Sequence, residues 1–274
     1  MMFVVKDLIA ARVNLLMNDF AAGLPSPLAF LGLADTVARG AELKPWTAGV
    51  LPILHSVSVS DGRTKPEMEN KFGVFKPIET LEDLTGTVAF SMLLDLPKFE
   101  SAAQLREMLP SLKLAGGIIQ NGTIEASQVE AVASDGSALR RLHRGFAMIC
   151  PDSPERRITS NGDAESLTAV IGAIFPAERA PGSGWIVPVA VGHHLIEDPA
   201  TVTHRRGKRD PSVPHVFSEP LLGIAEMVSV RHPDLTGATP DQLANRIWRW
   251  HASGSHVVGH RNYHPENLPK TKAA

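Results

Sequence analysis

Three observations predict an α+β fold for this chain of 274 residues. Apolar stretches with the period-2 alternation of strands are interspersed with stretches that repeat at helical spacing. The 22 glycines and 21 prolines interrupt the chain too often for a helical bundle and favour short elements joined by turns. Charged residues make up 20% and apolar ones 43%, the composition of a folded chain able to bury a core as one large domain or two smaller ones.

The opening stretch FVVKDLIAARVNLL reads as a strand, with a short helix fitting nearly as well. Ser26 before Pro27 is an N-cap followed by a first-turn proline. Leu28, Leu31, Thr36 and Val37 then recur at helical spacing up to Gly40, so a helix is predicted from Pro27 to about Arg39. LPILHSVSVSDG alternates and ends on the turn dipeptide Asp61-Gly62. Residues 63 to 76 are polar, basic and broken by Pro66 and Gly73, which predicts a projecting loop or hairpin tip. A buried strand is expected over 87 to 96, and Ser101 caps an amphipathic helix that Pro110 ends or kinks.

KLAGGIIQNGTIEASQVEAVAS has paired glycines between apolar runs and reads as two short strands around a tight approach. Residues 134 to 144 form a turn with a basic cluster, GFAMIC is a strand, and 151 to 166 is a polar connector. SLTAVIGAIF reads as a helix and GWIVPVAVGHHLI as a β-rich core segment. THRRGKRDPSVPH is a basic loop, and EPLLGIAEMVS fits strand or helix. Thr239 and Pro240 start a predicted helix with Leu243, Ile247 and Trp250 on its apolar side, and the tail NLPKTKAA is expected to fray. There is no internal repeat. The division expected is residues 1–150, with a projection near 60–78, and a more irregular part over 151–274.

Lys and Arg total 27 against 29 Asp and Glu, a net charge of −2, so any polyanion site must be a local concentration of charge. The single cysteine, Cys150, excludes a disulfide scaffold and a Cys-rich zinc module, and its place at the end of an apolar strand reads as a buried thiol. The motifs G-x-S-x-G, the P-loop and G-x-G-x-x-G are absent. Nine of the eleven histidines lie after residue 190. His256, His260 and His264 are spaced as helical metal ligands, but Gly254, Gly259 and Pro265 argue against a helix there. Pairing with carbonyls or phosphates is the expected role, with no metal and no cofactor. Charges interrupt the apolar start, and the stretch 180–196 falls short of a membrane span, so a cytoplasmic chain with no membrane contact is expected.

Two basic clusters stand out: Arg140, Arg141, His143 and Arg144, then His204, Arg205, Arg206, Lys208 and Arg209. Both favour arginine, which suits bidentate phosphate contact. Arg63, Lys65, Lys71 and Lys76 add a looser group on the projection. Gly116 and Gly117 would admit a phosphate to backbone N–H groups, and a plain turn fits their spacing as well. Trp46, Trp248 and Trp250 are read as core or partner-contact residues, and an exposed tryptophan beside Arg246 and Arg249 hints at a protein interface.

LPSPLAFLGL at 24–33, KLAGGII at 113–119, RRLHRGFAMI at 140–149 and GWIVPVAVGHHLI at 184–196 occur in that order, followed by a basic loop and EPLLGIAEMVSVRHP. In this combination the chain resembles the type I-F CRISPR-associated Csy family of crRNA 5′-handle-binding subunits, in the Cas-five branch of the RAMP superfamily. The resemblance spans most of residues 24 to 250. It implies a ferredoxin-like (RRM-type) domain with a thumb-like projection and a smaller C-terminal part. It also implies a non-catalytic subunit in antiviral defence that holds the 5′ handle of the crRNA. Such a subunit pairs with the large subunit of the surveillance complex, abuts the adjacent backbone subunit and can meet target DNA through the complex. The expected RNA-binding residues are Ser26, Arg63, Lys65, Lys71, Gly116, Gly117, Arg140, Arg141, Arg144, His204, Arg205, Arg206 and Arg209. Ser26 is included because the start of a helix offers its dipole and free N–H groups to a phosphate. Two other readings compete: a metal-independent endoribonuclease that uses His55 with Lys65, or His143, as general acid and base, and a small-molecule enzyme built on the C-terminal histidines and a metal.

Overall fold

The computed structural model describes residues 1–17, 21–60, 64–82, 84–134, 137–151, 164–179, 182–202 and 215–261. Strands dominate. Eleven of them form one antiparallel sheet, and two more form a hairpin of their own. The alternative of a helix at the start is settled for the strand: β1 (Met2–Asn14) carries Phe3, Val5, Leu8, Ala10 and Val13 into the core. Bulges interrupt its pairing between Val5 and Leu8 and again between Ala10 and Val13. The predicted first helix is α1 (Pro27–Gly40), capped by the Ser26 side chain on the Leu28 N–H. β2 (Gly49–Val59) and β5 (Thr85–Asp95) follow, joined through the hairpin β3 (Thr64–Lys71) and β4 (Val74–Glu82). α2 (Ala102–Met108) starts at the Ser101 cap, and Pro110 lies in the 3-10 turn that ends it.

The paired glycines resolve as a turn. β6 (Lys113–Leu114) and β7 (Gly117–Ile119) pair through Ala115 and Gly116, both with positive φ, the geometry of a tight hairpin. A side chain at Gly117 would come within 2.7 Å of the Val13 nitrogen, so glycine lets this hairpin lie against β1. β8 (Val129–Ala131) pairs with the other end of β1. Through these pairings the strands stand in the order β8–β1–β5–β2.

The second half continues the same sheet. β9 (Phe146–Ile149) pairs with β2 and with β11 (Ser218–Ser229), and β11 pairs with β10 (Trp185–Leu195), which α3 (Ala164–Ile174) packs against. EPLLGIAEMVS is therefore a strand. The helix expected to reach Trp250 stops early: α4 (Pro233–Thr236) and α5 (Pro240–Ala244) are single turns, and β12 (Trp248–Ser253) begins at once. The alternation in WRWHAS accounts for this, since a strand sends Trp248 and Trp250 to the same side. Trp248 is 1% exposed and its indole N–H donates to the Met148 carbonyl at 2.7 Å. Trp250 is half-buried edge-on to Trp46, and Trp46 is the exposed one. β12 pairs with β13 (His256–Arg261) and with the start of β2, so the pairings β2–β9–β11–β10–β13–β12 return to β2 and close a six-stranded ring.

Each face of the sheet has its own core. Phe3, Val5, Val50, Met92, Leu94, Met148 and Trp248 face α1 and α2. Val4, Leu51, Ile53, Leu93, Ala147, Ile149 and Val228 face Leu139, Leu142, Leu235, Leu243 and Ile247. Side chains one position apart go to opposite cores, the pattern of a sheet buried on both faces. Cys150 is buried at the end of β9. No described helix is long and apolar enough to cross a membrane.

Candidate functional site

The expected binding residues fall into separate places. His204, Arg205, Arg206 and Arg209, with Arg63, lie outside the described residues. Lys65 is on β3, and Lys71 ends that strand, exposed, with its ammonium 3.0 Å from Glu69. Ser26 is used within the fold: its hydroxyl donates to the Ala190 carbonyl and accepts the Leu28 N–H. Pro27 has no N–H and Ala29 donates to the Ser26 carbonyl, so the first donors of α1 are engaged in the cap. The Gly116-Gly117 turn sits at the β7 edge against β1.

The cluster RRLHR occupies the approach to β9. Arg140 donates from Nε to the Thr236 carbonyl at 2.8 Å, and Arg141 lies 3.8 Å from Glu130, which also holds the buried Lys6 at 2.7 Å. Arg231, which sequence reasoning did not single out, donates to the carbonyls of Arg140 and Leu142 and anchors the segment. Arg144 is exposed, and its carbonyl accepts from His55 Nδ1 at 3.0 Å.

Around His55 the fold assembles polar groups that are far apart in sequence. A carbonyl only accepts, so its bond to Arg144 fixes the proton on His55 Nδ1. Nε2 then faces the fully buried Ser91 hydroxyl at 2.7 Å, and Ser91 in turn accepts the Asp7 N–H at 3.0 Å. Asp7 sits in the bulge of β1 with φ of 55°. Its carboxylate lies 4.0 Å from His55 Nε2 and 3.5 Å from His143 Nε2, and the two imidazole rings are edge-on at 6.3 Å. Asp7 and Ser91 carried no motif that would have marked them.

The C-terminal histidines behave differently. His194 and His256 stack across β10 and β13 at 4.8 Å, and His260 lies on strand β13 rather than on a helix. His264 lies outside the described residues. Among the described residues no group of three or more His, Cys, Asp or Glu side chains is placed to hold a metal ion.

Residues 159–258 match the model of the family described as CRISPR-associated protein (Cas_Csy2). The chain is also 24% identical over 296 residues to CRISPR-associated protein Csy2 of Pseudomonas aeruginosa (strain UCBPP-PA14), covering 88% of each protein. The family match contains β10 and β11, the segments GWIVPVAVGHHLI and EPLLGIAEMVS. The relative extends the likeness over most of the remaining chain. The family model and the relative thus agree in what this chain is similar to, Csy2-type CRISPR-associated proteins.

Proposed function

We propose that the chain is a non-catalytic, cytoplasmic RNA-binding subunit of a type I-F-like CRISPR surveillance complex. In this reading it holds the 5′ handle of the crRNA, pairs with the large subunit and abuts the adjacent backbone subunit. The strand order β8–β1–β5–β2, with α1 and α2 in one core and a hairpin inserted between β2 and β5, carries the reading. That order supports reading the first part as the split βαβ arrangement of ferredoxin-like domains, a frequent scaffold for single-stranded RNA. The face opposite α1 and α2, which an RRM-type sheet offers to RNA, is covered here by Leu139, Leu142, α4 and α5. In this reading the strand of RNA is held away from that covered face, and the exposed Arg144 before β9 is one cation left to meet it.

The pairing of His55 with His143 is the observation that favours the endoribonuclease reading. His55 has both ring nitrogens engaged and its side chain is 10% exposed, an arrangement that holds a ring in place rather than freeing it to move a proton. Holding therefore takes precedence over cutting. One assay separates the two readings, using labelled guide RNA with and without its handle, in chelator, with and without the large subunit. Handle-dependent retention of intact RNA is expected. Replacing Arg205, Arg206 and Arg209 with alanine should flatten the plot of log affinity against log salt by about 0.7 for each phosphate that is no longer neutralised. An unchanged slope counts against the basic loop, and cleavage that His55→Ala or His143→Ala abolishes would replace the scaffold reading with the nuclease one.

A further inference from the structure

At the rim of the sheet on the α1 side, a cavity of about 390 Å³ is lined by Leu24, Leu54, Val57, Phe146, Trp185 and Met227, with His55 at its edge. We infer that this slot takes one unpaired nucleobase of a single-stranded RNA, stacked on Trp185 and packed against Phe146. The inference rests on the RNA-binding reading above and adds to it a mode of contact. A chain with 5% aromatic residues predicts grip through phosphates and base edges, yet two of its few aromatic side chains meet at one opening.

Trp185 is 61% exposed and Phe146 45%, a concentration of ring surface that water solvates poorly. Register explains why they meet. Trp185 pairs with Met227 at the start of β10, Phe146 pairs with Leu54 across β9 and β2, and β11 joins the two pairs. Apart from Leu24, which comes from the segment before α1, the slot is thus built on strands, and it is formed before anything binds.

Charge complementarity selects the occupant. The Arg179 guanidinium lies 3.5 Å over the Trp185 ring, which fixes the indole on one side and leaves its other face to a flat partner. Arg144 is exposed two residues before Phe146, and His143 beside it is exposed as well. No carboxylate lines the cavity among the described residues. Apolar walls with the Arg179 guanidinium beside Trp185 suit a π-surface attached to a phosphate, and the volume of about 390 Å³ lies within the ~300–1,000 Å³ of small-ligand sites.

The test titrates the full chain with a labelled single-stranded oligoribonucleotide of mixed sequence, at several salt concentrations, alongside oligonucleotides carrying a single abasic nucleotide at successive positions. Trp185→Ala should weaken binding about 5- to 100-fold with an unchanged salt slope, because stacking releases no counterions. Trp185→Phe should recover most of the loss. One abasic position should reproduce that loss in the natural chain and add nothing further to Trp185→Ala. Equal binding by Trp185→Ala and Phe146→Ala, or losses that add to the abasic loss, overturns the slot while leaving RNA binding intact. Unchanged RNA affinity with loss of the large subunit on co-purification overturns it in favour of a protein contact. If the natural chain binds no RNA, the RNA reading itself falls, and the slot with it.

Discussion

The position of His55 depends on a residue with no side chain. A Cβ at Gly145 would lie 2.5 Å from the Leu54 carbonyl oxygen and 2.7 Å from His55 Nδ1, so only glycine lets the Arg144 carbonyl approach the ring. Gly145 also accepts the Val230 N–H, which ties the same peptide to the end of β11. Gly145→Val should therefore destabilise the fold by about 1–3 kcal/mol. It should also release His55 from its fixed tautomer, read as a change in the His55 imidazole resonances. A variant that melts like the natural chain with those resonances unmoved would show that the contact is not what holds the ring. At this scale the sequence was least informative. Arg140, Arg141 and Ser26 look like free phosphate ligands in a linear text, but each has a partner that only folding brings near: a helix-end carbonyl, Glu130, and the Ala190 carbonyl. Asp7, His55, Ser91 and His143 converge from four separate segments, and no spacing rule links them.

Elements were more legible, because their signals are local. The Ser26-Pro27 start and the paired glycines each act through the backbone of adjacent residues, and α1 and the β6–β7 hairpin follow. The exception is the segment after Thr239. There the helix signal is real, yet the partners offered by β2 and β13 win from Trp248 onward. Among the described residues, the two strands of the projecting hairpin pair only with each other. Its tip exposes Phe72, Val74 and Phe75 together with Lys71. At its base the Ser60 N–H donates to the Thr85 carbonyl at 2.9 Å and Val59 pairs with Gly86, so the ends of β2 and β5 are already side by side. Replacing residues 61–83 with a short Gly-Asn turn should leave the melting temperature within a few degrees, since an isolated two-stranded hairpin adds little stability of its own. RNA affinity should fall at the same time if the projection grips the guide. Melting that drops by tens of degrees would mean the hairpin supports the core.

For the whole molecule, the decisive feature is that one sheet crosses residue 150. Without the second half, β9 would lose β11, and β2 would lose β12 along the edge that closes the ring. The core under α1 would lose Val189, Ala225, Met227 and Trp248. The opposite core would lose Val228, Leu235, Leu243 and Ile247. Each fully buried side chain of this size is worth about 1.5–3 kcal/mol, while a whole domain has a net stability of about 5–15 kcal/mol. A fragment of residues 1–150 should therefore show no cooperative melt and should bind a hydrophobic dye, while the full chain unfolds in one calorimetric transition with equal van't Hoff and calorimetric enthalpies. A fragment with a sharp transition of its own would instead establish two autonomous units. The two parts divided at residue 150 contribute their strands to one shared sheet. Hydrophobic periodicity tells a segment which face to bury but not which distant strand will lie beside it, so the closure of the ring could not be read in advance.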